Sequence, residues 1–203
     1  MSKIVNRKYA AIRRRERGIA QTIAGGLIGA KKVSVWDVLI PIVFIFRFAA
    51  IQKKRELFVG NFLYTKLLAL DGARKIMRNN AVRKEVLGGI DEMTKQTLVA
   101  HTAGVYCESI RACQMKEVRL LLDHFVSLFK ADGLAYPELV TSAYGKRGRY
   151  EAFLKQLEMI EDEVYQASCE MLGDAADTGF IDKVRASTIR IRAHEAGMIF
   201  WDH

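Results

Sequence analysis

The sequence predicts an all-α protein built as an antiparallel helical bundle. Only 2 prolines occur in 203 residues, and the long stretches between them are rich in Ala, Leu, Arg, Lys, Glu and Met, which favour helix over sheet. Apolar residues recur at helical spacing along most of the chain. Half of the residues are hydrophobic and 27% are charged, so the composition is that of a globular protein with a real core. Two N-terminal elements are expected in addition to the bundle.

The first of these elements is a basic amphipathic helix from Arg7 to about Gly25. Apolar residues recur along it at helical spacing, at Tyr9, Ile12, Ile19 and Ile23. Arginines cover the rest of its surface, at Arg13, Arg14, Arg15 and Arg17. Such a helix is typical of segments that lie on an anionic membrane surface.

The second element is a short, proline-bent hydrophobic segment over residues 33–51. Its uncharged core from Val38 to Phe46 is well short of the roughly 20 apolar residues that a helix needs to cross a bilayer. Pro41 lies in the middle of this core, where it would bend a helix. Trp36, Phe44 and Phe46 suit the depth of a membrane interface. We therefore expect a re-entrant or interfacial element.

Basic residues on both sides of the hydrophobic segment support a re-entrant or interfacial placement. Lys31 and Lys32 precede the segment, and Lys53, Lys54 and Arg55 follow it. Because positive charge is retained on the cytoplasmic side of a membrane, basic clusters at both ends favour a segment that dips in and returns, or lies flat. In the alternative interpretation, Val38 to Phe46 form the buried centre of the bundle.

The remaining chain predicts further helices. They are expected from Glu56 to about Asn79, from Ala81 to Leu87, after Pro137, from Tyr150 to Gly173 and from Thr178 to Phe200. Between Asp91 and Phe129 we expect one very long helix or two in tandem, with a bend near Gly104 or Gln114. Gly88 and Gly89 are expected to interrupt the helix that begins at Ala81, and Asp132 with Gly133 to end the helical stretch that reaches Phe129. The acidic residues Glu158, Glu161, Asp162 and Glu163 are expected on the solvated face of their helix.

The excess of positive over negative charge is confined to the N-terminal quarter of the chain. Residues 1–55 hold 13 Lys and Arg against two acidic residues, whereas residues 56–203 hold 19 basic and 21 acidic residues. We therefore predict a basic membrane-associating segment over residues 1–55 and a helical bundle body over residues 56–203. A localised anionic partner, either phospholipid or nucleic acid, is expected.

No residue pattern indicates a catalytic site, a metal site or a cofactor. The di-iron pattern of helical bundles needs Glu three residues before His, but Leu98, Leu121 and Ile191 occupy those positions before the three internal histidines. The three cysteines have no metal-like spacing, and free cysteines of this kind are usually small core residues. We predict no catalytic residues, metal ligands or cofactors.

The sequence thus favours a membrane-peripheral, monotopic interaction or scaffold protein on the cytoplasmic face of a bacterial inner membrane. A protein partner is expected, and the oligomeric state stays open. Two alternatives remain, a nucleic-acid-binding protein that uses the basic N-terminal arm and an enzyme acting on a lipid-linked substrate. The predicted membrane-binding residues are Arg13, Arg14, Arg15, Arg17, Lys31, Lys32, Trp36, Pro41, Phe44, Phe46, Lys53, Lys54 and Arg55.

Overall fold

The computed structural model describes residues 2–28, 51–101 and 107–201, and all regular structure in these ranges is helical. The α-helices are α1 Ser2–Leu27, α2 Ile51–Asn79, α3 Arg83–His101, α4 Glu108–Lys130, α5 Tyr136–Tyr144, α6 Arg147–Leu172 and α7 Thr178–Ile199, with a single 3₁₀ turn at Gly173–Ala175. The prediction of an all-α helical bundle is confirmed. None of the described helices combines the length and the apolar character needed to cross a membrane.

One helix boundary differs from the predictions, and a second, which the sequence left open, is decided by the structure. The predicted break at Gly88 and Gly89 is wrong, because α3 runs through both residues. A glycine costs about 1 kcal/mol in a helix, and the buried side chain of the next residue, Ile90, ties this stretch to the core. The stretch from Asp91 to Phe129 is divided between α3 and α4, with Gln114 inside α4. Gly104, the other predicted bend, lies outside the described residues.

Helices α1 and α2 form an antiparallel pair. Near the start of α1, the Tyr9 hydroxyl donates a hydrogen bond to Asp71 at 2.8 Å, close to the end of α2. At the opposite end, the Arg55 Nε donates to the carbonyl of Ile28 at 2.9 Å. The chain therefore leaves α1 and re-enters α2 at the same end of the pair.

The apolar face of α1 is buried in the bundle. Ile12 is fully buried and belongs to the main core, which α1 shares with α2, α4, α5, α6 and α7. Ile19 and Ile23 belong to a second cluster with Phe58 and Phe180. Helix α1 thus packs on the body of the protein, and the predicted boundary at residue 55 falls inside α2.

The helices α2 and α4 pack side by side in the same direction. Lys66 of α2 contacts Glu117 of α4, and six residues further on Gly72 lies beside Leu122. The predicted antiparallel arrangement does not hold for this pair. The reason is that α3, which connects α2 to α4 in the chain, runs in the opposite direction to both. Helices α4 and α6, in contrast, run antiparallel, as do α6 and α7.

The close packing at Gly72 leads to a first prediction. A Cβ atom at this position would lie 2.9 Å from Val86, 3.0 Å from Leu122 and 3.3 Å from Ile90. We expect Gly72→Leu to lower the free energy of unfolding by roughly 1–3 kcal/mol through overpacking. Gly60→Leu in the same helix is the control, because nothing lies within 4 Å of its added Cβ. Urea unfolding would compare the two variants, and equal stabilities would contradict this packing.

Candidate functional site

The structure separates the predicted membrane-binding residues into three groups. Arg13, Arg14 and Arg17 lie on the exposed surface of α1, and Lys53, Lys54 and Arg55 lie in the first turns of α2, with Lys53 the most exposed. Arg15 lies inside the bundle. The others, Lys31, Lys32, Trp36, Pro41, Phe44 and Phe46, lie outside the described residues.

Arg15 is a structural residue rather than a surface one. Its side chain is only 10% exposed, its guanidinium pairs with Glu16 and Glu195, and it stacks over the ring of Tyr136 at 4.7 Å. The helical spacing contains the signal that was missed. Arg15 and Glu16 follow Ile12 by three and four residues, so they share its buried face.

A groove of about 620 Å³ runs between α1 and α2. Its α1 wall is formed by residues about one turn apart, at Arg13, Arg17, Gln21, Ala24 and Gly25. Its α2 wall has the same spacing, at Gln52, Arg55, Glu56, Val59, Gly60, Leu63 and Leu67. The groove therefore combines basic and polar side chains with an apolar floor.

The charge of the groove is mainly positive. Arg13, Arg17 and Arg55 line it against a single acidic residue, Glu56. Within the described part of the chain, neither Arg13 nor Arg17 forms a salt bridge, and Arg55 donates through Nε to the Ile28 carbonyl. Guanidinium groups without a carboxylate partner are suited to binding phosphate or carboxylate oxygens.

A second cluster of charges lies in the interior of the bundle. The Lys66 ammonium donates to both Glu117 and Glu161 at 3.0 Å, and Arg192 forms two hydrogen bonds with Glu161 at 2.6 and 2.8 Å. The four side chains are between 4% and 10% exposed. This ion network joins α2, α4, α6 and α7.

The prediction that Glu161 lies on the solvated face of its helix is wrong. Glu161 follows Leu157 by four residues and precedes Val164 by three, and both of these residues are buried. The prediction rested on the acidic neighbours of Glu161, whereas the periodicity of the apolar residues places Glu161 on the buried face of the helix. Glu163 in the same run is about half exposed and pairs with Lys116.

The ion network keeps its members charged. Burial alone would raise the pKa of Glu161, but the Arg192 guanidinium and the Lys66 ammonium outweigh burial and lower that pKa. Burial likewise opposes the charge of Lys66, and the carboxylates of Glu117 and Glu161 raise its pKa instead. The Nε of Arg192 is buried without a hydrogen-bond partner in the described part of the chain. The network is therefore expected to be sensitive to the loss of one carboxylate.

An aromatic cluster around His124 of α4 lies near this network. The buried His124 ring stacks on Phe153 with 4.1 Å between ring centroids, and its Nδ1 lies 2.7 Å from the hydroxyl of Tyr144. Burial, and then the positive charges of Arg15 and Arg192, lower the pKa of His124 well below its ordinary value of 6.5. His124 is therefore neutral in the folded protein at physiological pH.

No protein-family model, curated protein or solved structure matches this chain. The groove between α1 and α2 is lined by three of the predicted site residues, with Arg55 at the end near Ile28 and Arg13 and Arg17 further along α1. The ion network and the His124 cluster lie in the interior and join helices to one another.

Proposed function

We propose that this protein is a membrane-peripheral interaction or scaffold protein that is held on an anionic membrane by its N-terminal quarter. Residues 29–50 would enter the interface, and the basic residues beside them would contact lipid headgroups. The bundle would face the cytoplasm and hold a protein partner. Met198 and Trp201, whose side chains lie three residues apart and are 61% and 84% exposed, are candidates for that contact.

The observation that carries this proposal is the contact between Arg55 and the carbonyl of Ile28. It brings the two ends of residues 29–50 to the same end of the α1 and α2 pair. A segment that crossed a bilayer once would leave its ends on opposite sides, and two crossings would need about 40 apolar residues. A shallow entry that returns to the same side therefore fits best.

The distribution of basic residues supports the proposal. Arg55, Lys53 and Lys54 lie at the end of the pair that adjoins residues 29–50, and Arg13 and Arg17 lie further along the exposed surface of α1. Each Lys or Arg near an anionic bilayer contributes about 1 kcal/mol of binding free energy. The apolar face of α1 is buried in the bundle. We therefore propose that α1 contributes positive charge to membrane binding and that residues 29–50 insert into the membrane.

Vesicle flotation with a matched sequence replacement tests this function. Residues 33–46 would be replaced by a Gly and Ser linker of equal length, which leaves α1, α2 and the ion network in place. We expect the native protein to float with vesicles that contain phosphatidylglycerol, even at high salt, and the replaced variant to lose flotation at high salt because only charge attraction remains.

Circular dichroism and thermal unfolding of the same variant provide the control. Unchanged helix content and stability are expected for an element that lies outside the bundle. Unfolding of the variant would contradict the proposal and favour the alternative in which Val38 to Phe46 form the buried core. Flotation equal to that of the native protein would also contradict it. Salt-sensitive RNA binding by native protein that does not float would favour the nucleic-acid alternative.

A further inference from the structure

We propose that the groove between α1 and α2 binds a single anionic phospholipid, with its phosphate on Arg13 and Arg17 and an acyl chain along the apolar floor toward Gly25. This inference rests on the proposed membrane association and names the ligand of that site. It differs from diffuse attraction to a charged surface, because it requires a defined stoichiometry and specific residues.

The shape of the groove fits such a ligand. Its volume of about 620 Å³ lies within the range of about 300–1,000 Å³ that is typical of small-molecule sites. The stripe from Arg13 to Gly25 covers about 18 Å at 1.5 Å per residue, so the groove is elongated. Gly25 and Gly60 widen it, because a Cβ at either position would meet nothing within 4 Å.

The groove places arginines beside an apolar floor, as a phospholipid requires. Arg13 and Arg17 are one helical turn apart, so both guanidinium groups can reach one phosphate. Arg55 lies near the opposite end of the groove, where its Nε donates to the Ile28 carbonyl. The apolar floor is formed by Val59, Leu63 and Leu67 of α2. Arginine is well suited to phosphate because its planar donor groups bind two oxygens at once.

The chain's own residues 29–50 are a poorer occupant of the groove. They carry Lys31, Lys32 and Arg47 against the single acid Asp37, so they would bring like charge toward three arginines. A free phosphate would satisfy the arginines but would leave the apolar floor exposed to water. An anionic phospholipid satisfies both parts of the groove.

Titration calorimetry with a short-chain lipid tests the inference. The probe is dihexanoyl phosphatidylglycerol below its micelle concentration, added to the full-length protein. We expect one lipid to bind per chain and binding to weaken roughly tenfold or more in Arg13→Gln/Arg17→Gln, which lacks two charge-assisted contacts. Arg7→Gln/Arg14→Gln is the matched control. Both of its arginines are exposed on the same helix, but neither lines the groove.

A second pair of variants fills the groove without changing its charge. Gly60→Leu places a side chain in the groove and is expected to weaken lipid binding, whereas Gly26→Leu lies outside the groove and is expected to have no effect. Equal weakening by both arginine pairs would overturn the inference in favour of diffuse surface attraction. Inorganic phosphate that binds as tightly as the short lipid would overturn it in favour of a free-anion site.

The two proposals fail separately. If native protein floats with vesicles but binds no short-chain lipid, the groove inference is wrong and the proposed membrane association stands. If native protein does not float, the proposed function itself is wrong. Dihexanoyl phosphatidylcholine, whose headgroup carries no net charge, should bind more weakly than the phosphatidylglycerol probe, and equal binding of the two would also overturn the inference.

Discussion

Glu161→Gln is expected to lower the free energy of unfolding by about 3–5 kcal/mol, because it removes one partner of a buried ion network. The substitution keeps the shape of the side chain but removes the carboxylate that pairs with Arg192 and leaves Lys66 paired with Glu117 alone. The Arg192 Nε already has no partner within the described residues, so the guanidinium has no other contact to compensate. Urea unfolding followed by circular dichroism measures the change.

Glu163→Gln is the matched control for this substitution. It lies two residues away on the same helix and removes a carboxylate from a salt bridge with Lys116, but both side chains of that pair are about half exposed, at 43% and 52%. Exposed pairs contribute roughly 0–1 kcal/mol. If the two variants lose equal stability, the network does not stabilise the bundle in the way that its burial indicates.

The same network predicts a loss of stability in acid. The folded-state pKa of Glu161 is lowered below its ordinary value of 4.5, so its contribution is complete above that pH and is lost as the pH falls toward the folded-state pKa. The slope from one such group approaches about 1.4 kcal/mol per pH unit. Glu161→Gln should lack this part of the slope, which pH-dependent urea unfolding would detect.

His124 is expected to produce a second loss of stability at a higher pH. Its folded-state pKa lies well below 6.5, so below pH 6.5 the unfolded chain gains a proton that the folded protein does not bind. The free energy of unfolding should therefore fall by up to about 1.4 kcal/mol per pH unit between about pH 6.5 and pH 5. Above pH 6.5 this residue contributes no slope.

His124→Phe separates this effect from the stacking of the ring. The phenyl ring can keep the contact with Phe153, and the lost hydrogen bond to Tyr144 should cost about 1 kcal/mol at neutral pH. The variant should lose the slope below pH 6.5. His194→Gln is the control, because His194 is exposed on α7, and this variant should retain the slope. A slope that persists unchanged in His124→Phe would show that another group causes it.

The burial of α1 changes how the basic N-terminal quarter would act at a membrane. An isolated amphipathic helix inserts its apolar face between lipids, but Ile12, Ile19 and Ile23 are enclosed by other helices here. Insertion by α1 would require the helix to leave the core. The groove arginines, in contrast, are on the outside of the bundle and need no rearrangement to meet a phosphate.

Several features followed from the sequence alone. Local periodicity and the scarcity of proline predicted an all-α bundle, and most helix ends lie within a few residues of their predicted positions, including the restart of α5 near Pro137. The confinement of the excess positive charge to the first 55 residues is also a property of the sequence. These features depend on residues close together in the chain, where spacing determines which side chains share a helix face.

Tertiary packing decided which charges are exposed and which are buried. Arg15 and Glu161 stand in charged runs that resemble solvated surfaces, but their partners Glu195 and Arg192 lie 180 and 31 residues away. The same is true of the groove, because its two walls come together only when α1 packs antiparallel against α2, with Ile28 beside Arg55. Local spacing can place a side chain on the inner face of a helix, but which helix packs against that face depends on the whole core. The charge that neutralises a buried residue is therefore known only once the bundle has assembled.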